Sequence, residues 1–344
     1  MPLGSSGTGL PPYRPQALVY TADPSPNPLA ERAMTRPVLL MSALYEPIQK
    51  ELESSWAVHR LYEAADRAAM LAAIADRCEV VVTSGGAGID AATLRALPNV
   101  KLVSVFGVGV DAVDRAYCTA HGIAVTNTPD VLTDDVADLG VALMLASLRQ
   151  VVAADRWVRD GHWVTRGTMP LATAVARRRV GIVGLGRIGA AIGRRCEAFG
   201  TEIAYHGPNR KPVAWTYHAD LVEMARWADV LIAACPGGAA TKGVVSRQVL
   251  EALGPTGHFV NIARGSVVDQ PALVELLQSG RLGGAALDVF DDEPNVPAAL
   301  IAMPHVVLQP HHASGTHDTR TAMGRLTLDN VAAHFAGRPL LTPV

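Results

Sequence analysis

The stretch VGIVGLGRIGAAIGRRCEAFG, Val180 to Gly200, decides the fold. It reads as a strand over Val180–Val183, a glycine turn, and a helix that ends at Gly200. Gly184, Gly186 and Gly189 have the G-x-G-x-x-G spacing. Gly184 permits the tight turn from strand to helix. Gly186 leaves room for a pyrophosphate to approach the backbone, and Gly189 lets the helix lie close to the strand. A phosphate there would meet free N–H groups at the positive end of the helix dipole. Ile188, Ile192, Cys196 and Phe199 recur at helical spacing and predict a buried stripe. The glycine spacing alone is a weak signal. The apolar strand before it and the amphipathic helix after it supply the context of a dinucleotide site.

Working outward, the same alternation of apolar run and helical pattern extends in both directions. Toward the N-terminus the strand candidates are 37–41, 79–83, 101–105 and 122–126, with helices near 46–54, 63–77, 90–97 and 111–120. Toward the C-terminus they are 202–206, 229–235, 258–263, 284–290 and 305–309, with helices at 219–228, 246–253 and 270–279. Repeated strand–helix–strand units build a parallel sheet covered on both faces. The prediction is an α/β chain with two doubly wound parallel-sheet domains. A Rossmann cofactor domain over 133–316 is inserted in a flavodoxin-like substrate domain made of 37–132 and 317–344. The apolar run Thr133–Leu148 predicts a long buried helix between them, capped by Thr133 and carrying Asp134 and Asp135 at its positive end. A helix over about 316–335 follows the second sheet and returns to the first. The segment 150–175, with Trp157 and Trp163, has no clear period. It reads as a helical turn and an extended loop, suited to a subunit contact or to covering the long helix.

The chain has 344 residues, enough for two cores. Charged residues make up 18% and the net charge is −2, which gives no electrostatic footprint for nucleic acid or an acidic membrane. Cys78, Cys118, Cys196 and Cys235 are scattered, which favours reduced thiols and a cytoplasmic protein over a disulfide framework. No apolar run reaches the length of a membrane span. Residues 1–36 are rich in Pro, Gly and Ser and read as a disordered extension, with Met34 a candidate natural start.

Three polar residues fall at the ends of the last predicted strands: Arg264 in NIARGSVVD, Glu293 in DVFDDEP and His311 in LQPHHASGT. Ends of strands in an open parallel sheet share the edge where a nucleotide lies. An arginine, a carboxylate and a histidine there suit hydride transfer to a 2-oxo acid. Arg264 would bind the carboxylate and polarise the keto oxygen. His311 would deliver the proton, and Glu293 would orient the ring and favour its protonated form. Taken singly, each has a plainer reading: a solvated arginine, a turn before Pro294, a core histidine. His305, His311, His312 and His317 also invite a metal reading, but a strand-to-loop run does not preset ligands as a helical H-E-x-x-H does.

Cofactor choice follows from the strand after the glycine turn. Turns selective for NAD carry a carboxylate about 20 residues past the glycines, on the ribose 2′-hydroxyl. Here strand 202–206 runs into His206-Gly207-Pro208-Asn209-Arg210-Lys211, with no carboxylate and two cations. Arg210 and Lys211 predict pairing with a 2′-phosphate, so NADPH is preferred, with NADH usable.

The words NTPDVLTDDVADLGVALMLA, VGIVGLGRIG, ACPGG, NIARGSVVD, GAALDVFDDEPNVP, LQPHHASGT and RPLLTPV resemble the D-isomer-specific 2-hydroxyacid dehydrogenase family. The resemblance is strongest to its hydroxypyruvate/glyoxylate and hydroxyphenylpyruvate reductase branch. It implies a catalytic set of Arg264, Glu293 and His311. It implies that the 106–109 loop, chiefly Val108 and Gly109, holds a substrate carboxylate by backbone N–H groups. It implies cofactor contacts from Thr133, Gly184, Leu185, Gly186, Arg187, Ile188, Gly189, Gly207, Pro208, Asn209, Arg210, Cys235, Pro236, Thr241, Ile262, Ala263, Asp288 and Ser314. It also implies a homodimer in which the 133–175 region crosses to the partner. His312 stands where many relatives have an apolar residue, so either neighbouring histidine could face the nicotinamide, and the Pro-His position favours His311. The expected activity is reduction of glyoxylate or hydroxypyruvate to the D-hydroxy acid. An aromatic 2-oxo acid reductase and a dinucleotide-sensing, corepressor-like binding protein are the alternatives.

Overall fold

The computed structural model describes residues 35–344. The predicted disorder of 1–36 falls mostly on residues outside that range. Arg36 belongs to the folded part: its carbonyl accepts from Ala57 N–H at 3.1 Å, and its guanidinium lies 5.0 Å from the centre of the Phe335 ring.

Two wholly parallel sheets organise the chain. The first contains β1 (Pro37–Leu40), β2 (Ala57–Arg60), β3 (Val80–Ser84), β4 (Leu102–Phe106) and β5 (Ala124–Thr126). Its order is β2-β1-β3-β4-β5, the flavodoxin-like arrangement. The second contains β6 (Arg179–Val183), β7 (Glu202–His206), β8 (Thr216–Tyr217), β9 (Val230–Ala233), β10 (His258–Asn261), β11 (Gly284–Leu287) and β12 (Val306–Leu308). Its order is β12-β11-β10-β9-β6-β7-β8, so the direction of winding reverses between β6 and β9. In an open α/β sheet that reversal opens a crevice beyond the carboxyl ends of the strands.

Burial explains why these runs are strands. Val180, Ile182 and Val183 of β6 and Val230, Leu231 and Ile232 of β9 are almost wholly buried, as both faces of the sheet are covered by helices. Each such side chain stabilises the fold by about 1.5–3 kcal/mol relative to exposure. The edge strands β2 and β8 escaped sequence reading. The first is AVHR, half-buried throughout, and the second is two residues long, so neither carries a continuous apolar run.

The helix Thr133–Leu148 packs on the second sheet, and its core cluster also reaches Phe106 of β4 and Met323. Gly140 brings it against Ile192, and Arg195 pairs with its Asp134 and Asp138 at 2.9 and 2.5 Å. Thr133 does not cap it: Leu132 occupies the cap position, and no side chain bonds the free N–H groups there. The helix His317–Phe335 returns to the first sheet, where Leu328 and Val331 join Val38, Leu40 and Ile48. At Gly324 an added Cβ would lie 2.1 Å from Ile48 Cγ1, so close helix contact depends on that glycine. The tail follows it, with Val344 N–H donating to Val125.

Several predicted helices are shorter than their patterns. Asp66 and Asp114 accept from Ala69 and Tyr117 N–H, so these helices begin at Arg67 and Arg115. Phe199 departs from its expected role: the helix closes at Glu197 and Phe199 is 38% exposed. Segment 150–175 holds two helices, Val151–Arg159 and His162–Arg166, ahead of a loop. Trp157 is half-buried and donates to the Gly167 carbonyl at 3.1 Å, while Trp163 is exposed. Among the described residues no single helix is long and apolar enough to cross a membrane.

Candidate active site

The glycine turn stands at the mouth of the crevice. Gly184 has φ +95°, and a Cβ there would press within 2.6 Å of the Cys235 backbone. Both requirements exclude a side chain. A Cβ on Gly189 would lie 2.2 Å from the Gly184 carbonyl oxygen, so this glycine sets how close helix and strand lie. Gly186 differs, for nothing lies within 4 Å of its Cβ position. Its bareness matters toward the cleft, not toward the protein. The helix that follows, Arg187–Glu197, has no side-chain cap, which leaves its first N–H groups available to an anion. A dinucleotide pyrophosphate fits this cradle. Arg187 beside it pairs with Asp130 at 2.6 Å.

Carbonyl and hydroxyl bonds shape the loop at the end of β7. Gly184 N–H donates to the His206 carbonyl, which brings that strand end to the glycine turn. Tyr217 Oη donates to the Gly207 carbonyl, and Tyr205 Oη accepts from Lys211 N–H. Pro208, Asn209 and Arg210 are exposed between these anchors.

A cleft of about 710 Å³ opens between the two sheets. From the second sheet it is lined by Gly186, Arg187, Ile188, Cys235, Pro236, Ile262, Ala263, Arg264, Asp288, His311 and Ser314. Thr133 lines it from the start of its helix, and Val108 and Gly109 line it from the first sheet. Leu185 packs instead against the core around Ile192. Thr241 lies outside the lining and closes its own turn, donating from Oγ1 to the Pro236 carbonyl at 2.6 Å.

Each polar group on the second sheet is held by its local backbone. Arg264 follows β10 on a turn tied by the buried Asn261, whose side chain accepts from Ala263 N–H and donates to the Arg264 carbonyl. At Gly265 a Cβ would collide with the Phe290 carbonyl at 2.0 Å, so this turn lies against the loop that carries Glu293. His311 Nδ1 lies 2.7 Å from Glu293 Oε2, and Glu293 Oε1 accepts from Phe290 N–H at 2.9 Å. Burial pushes the Glu293 carboxyl up, but the bonds from His311 and Phe290 outweigh it and leave it below the usual range. The charged carboxylate is therefore the resting form near neutral pH.

Of the two adjacent histidines, His311 bonds Glu293. His312 contributes its backbone, donating N–H to Asp288 Oδ1 at 2.7 Å, while its ring packs beside Gly315. Asp288 is 1% exposed, and its carboxylate also accepts from Ala313 N–H. Its carbonyl accepts from His311 N–H at 2.7 Å, which fixes His311 at φ +52°. Although Asp288 lines the cleft, its carboxylate is spent on holding the histidine turn.

The first sheet offers backbone donors in the loop after β4. Thr128 N–H bonds the Gly107 carbonyl, and the Asn127 side chain bonds the Val108 carbonyl. Among the described residues the Val108 and Gly109 N–H groups have no protein acceptor. Four charged residues of this cleft were missed by sequence reading: Asp111, Arg115, Asp130 and Arg320. Asp111 bonds Arg264 Nε at 3.2 Å, and Arg320 lies 5.7 Å from the Phe106 ring centre. Desolvation lowers the Arg320 guanidinium below its ordinary value. Among the described residues no group of three or more His, Cys, Asp or Glu is placed to hold a metal ion.

Comparisons with known proteins identify the family. A family model for the D-isomer specific 2-hydroxyacid dehydrogenase NAD binding domain matches residues 141–313. The chain is 46% identical over 308 residues to a hydroxyphenylpyruvate reductase of Plectranthus scutellarioides, covering 89% of this chain and 98% of that one. It is equally similar, with the same coverage, to a glyoxylate/hydroxypyruvate reductase A of Arabidopsis thaliana. A crystal structure of an NADPH-dependent glyoxylate/hydroxypyruvate reductase from Sinorhizobium meliloti, with NADP and malonate, superposes with a TM-score of 0.85. It shares 44% identity and covers 90% of this chain and 97% of its own. The chain thus belongs to the D-isomer specific 2-hydroxyacid dehydrogenase family, with two parallel-sheet α/β units and NAD(P) as its cofactor.

Proposed function

We propose that the protein reduces a small 2-oxo acid, glyoxylate or hydroxypyruvate, to the D-2-hydroxy acid, with NADPH preferred over NADH. One observation carries the reading. A guanidinium, a carboxylate-bound imidazole and a pair of free backbone N–H groups all border one cleft beside an uncapped helix N-terminus. The names of the relatives support the substrate class.

When bound, the reduced nicotinamide supplies a hydride to the carbonyl carbon. Val108 and Gly109 N–H groups and Arg264 bind the substrate carboxylate, and Arg264 also draws charge onto the keto oxygen. Glu293 accepts a hydrogen bond from His311 Nδ1–H, which holds the protonated ring with Nε2 toward the cleft as proton donor. The hydride on carbon and the proton on oxygen together complete the hydroxy acid. Gly186, Arg187 and Ile188 hold the pyrophosphate. Gly184 and Gly189 shape that turn, while Cys235, Pro236, Ile262, Ala263 and Ser314 line the nicotinamide side. Asn209, Arg210 and Lys211, free of any carboxylate at the end of β7, take the 2′-phosphate.

In this reading the substrate unit is 37–132 with 317–344, and the dinucleotide unit is 133–316. The exposed apolar side chains of Val158, Trp163, Val164 and Leu171, all in the 133–175 region, supply contacts through which two copies pair as a homodimer. Four buried free cysteines suit a reducing cytoplasm.

Steady-state rates on glyoxylate, hydroxypyruvate, pyruvate and phenylpyruvate, each with NADPH and NADH, test the proposal. The highest kcat/KM is expected for a small acid with NADPH. A preference for phenylpyruvate would move the chain to the aromatic branch. A preference for NADH would refute the cofactor reading. Tight NADPH binding with no turnover of any acid would favour a sensor.

A further inference from the structure

The Arg264 guanidinium reaches across the cleft and is held at two points. Nε donates to Asp111 Oδ2 at 3.2 Å, and Nη1 donates to the Ala263 carbonyl at 2.8 Å. Nη2 remains, and it lies against Gly109, where an added Cβ would be 1.7 Å away. The Asp111 carboxylate is tightly seated: a Cβ on Gly237 would lie 2.7 Å from Oδ2, and one on Gly109 would lie 2.8 Å from Oδ1. The two side chains are 25% and 22% exposed, for Arg264 and Asp111 respectively. Asp111 therefore ties the loop after β4 to the arginine after β10.

A negative charge at this place works against attraction of an anionic substrate. If Arg264 served only as a positive charge, Asp111 would weaken it. What Asp111 supplies is direction. With Nε and one Nη1 hydrogen occupied, the planar guanidinium is held with Nη2 against Gly109, on the loop that carries the free Val108 and Gly109 N–H groups.

We propose that Asp111 is a positioning residue that fixes Arg264 across the cleft, so that guanidinium and loop N–H groups address the same substrate carboxylate. The inference rests on the reading of function above. It concerns the spacing of the two halves of the carboxylate site, which come from different sheets.

The test compares Asp111→Ala, Asp111→Asn and both changes in an Arg264→Ala background. Kinetics use hydroxypyruvate and NADPH, and calorimetry follows oxalate binding to the NADP-loaded protein. Asp111→Ala is expected to lower kcat/KM about tenfold or more, with KM raised and NADPH affinity unchanged. Oxalate affinity should fall by a similar factor. Asp111→Asn keeps an acceptor oxygen for Nε and should recover most of both losses. In the Arg264→Ala background neither change should have a further effect. Wild-type behaviour of Asp111→Ala would overturn the proposal. So would equal damage from Asn and Ala, or losses that multiply with that of Arg264→Ala. If the wild-type chain reduces no oxo acid, the reading of function fails, while oxalate binding still decides the role of Asp111.

Discussion

The two sheets are wound alike, yet they serve the cleft by different means. The second sheet delivers side chains: Arg264 after β10, Glu293 after β11 and His311 after β12. Each is fixed by local bonds, to Asn261, Phe290 N–H and the Asp288 carbonyl. Toward the substrate the first sheet delivers backbone, through the Phe106–Gly109 loop whose carbonyls are turned back onto Asn127 and Thr128, while its Asp111 side chain is engaged by Arg264. Reaction chemistry needs groups that accept or give protons, which only side chains provide. Holding a carboxylate needs only donors, which the main chain provides on any sequence that can make the turn.

The contrast can be broken first at the side chains. His311→Ala should lower kcat by about a hundredfold to ten-thousandfold with little change in KM, since it removes the proton donor alone. A change confined to KM would place His311 among binding groups instead. Arg264→Ala should lower kcat/KM by about a hundredfold or more, through both constants, because the guanidinium meets the substrate before and during reaction. Retention of both constants would show that the carboxylate lies elsewhere.

The backbone side is probed at two glycines, with smaller effects. Gly109→Ala places a methyl against Arg264 Nη2 and should raise KM for the oxo acid about tenfold, leaving NADPH affinity unchanged. Gly186→Ala meets no protein atom within 4 Å, so Tm should hardly move while the NADPH dissociation constant rises about tenfold. A fall in Tm with unchanged cofactor affinity would make Gly186 a folding residue and erase the distinction.

The last effect sharpens the comparison by lying outside the cleft. His258 begins β10 with Nδ1 2.7 Å from Ser147 Oγ, and burial, with His305 and Arg178 nearby, pushes the imidazole down to about 4. The unfolded chain binds this proton below about 6.5, whereas the folded chain does not until about pH 4. Its contribution is therefore full above 6.5 and is lost as pH falls toward 4. The linkage amounts to about 3 kcal/mol at most. Denaturant unfolding from pH 7 to pH 4 should show the decline, and His258→Gln should flatten it.

The second sheet was the more legible one in the sequence, for a physical reason. Gly184 and Gly189 are required by close contact, and Arg264, Glu293 and His311 are unusual residues at ends of apolar runs. The Phe106–Gly109 loop was legible only through the family resemblance, because a donor on the main chain leaves no residue type to read. Asp111 was missed because its partner is 153 residues away and on the other sheet. Asp288, expected as a cofactor contact, lines the cleft, and its buried carboxylate also bonds His312 and Ala313 N–H, which no sequence pattern announces. The Thr133 cap failed because a residue type suited to capping stood one place inside the helix.

Single-turnover reduction of hydroxypyruvate by NADPH-loaded protein, with the product resolved by handedness, bears most directly on how the two sheets cooperate. D-glycerate should form in step with NADPH oxidation in the wild-type chain, and far more slowly in His311→Ala. NADPH that stays bound and unoxidised with hydroxypyruvate present, or wild-type speed in His311→Ala, would contradict the account.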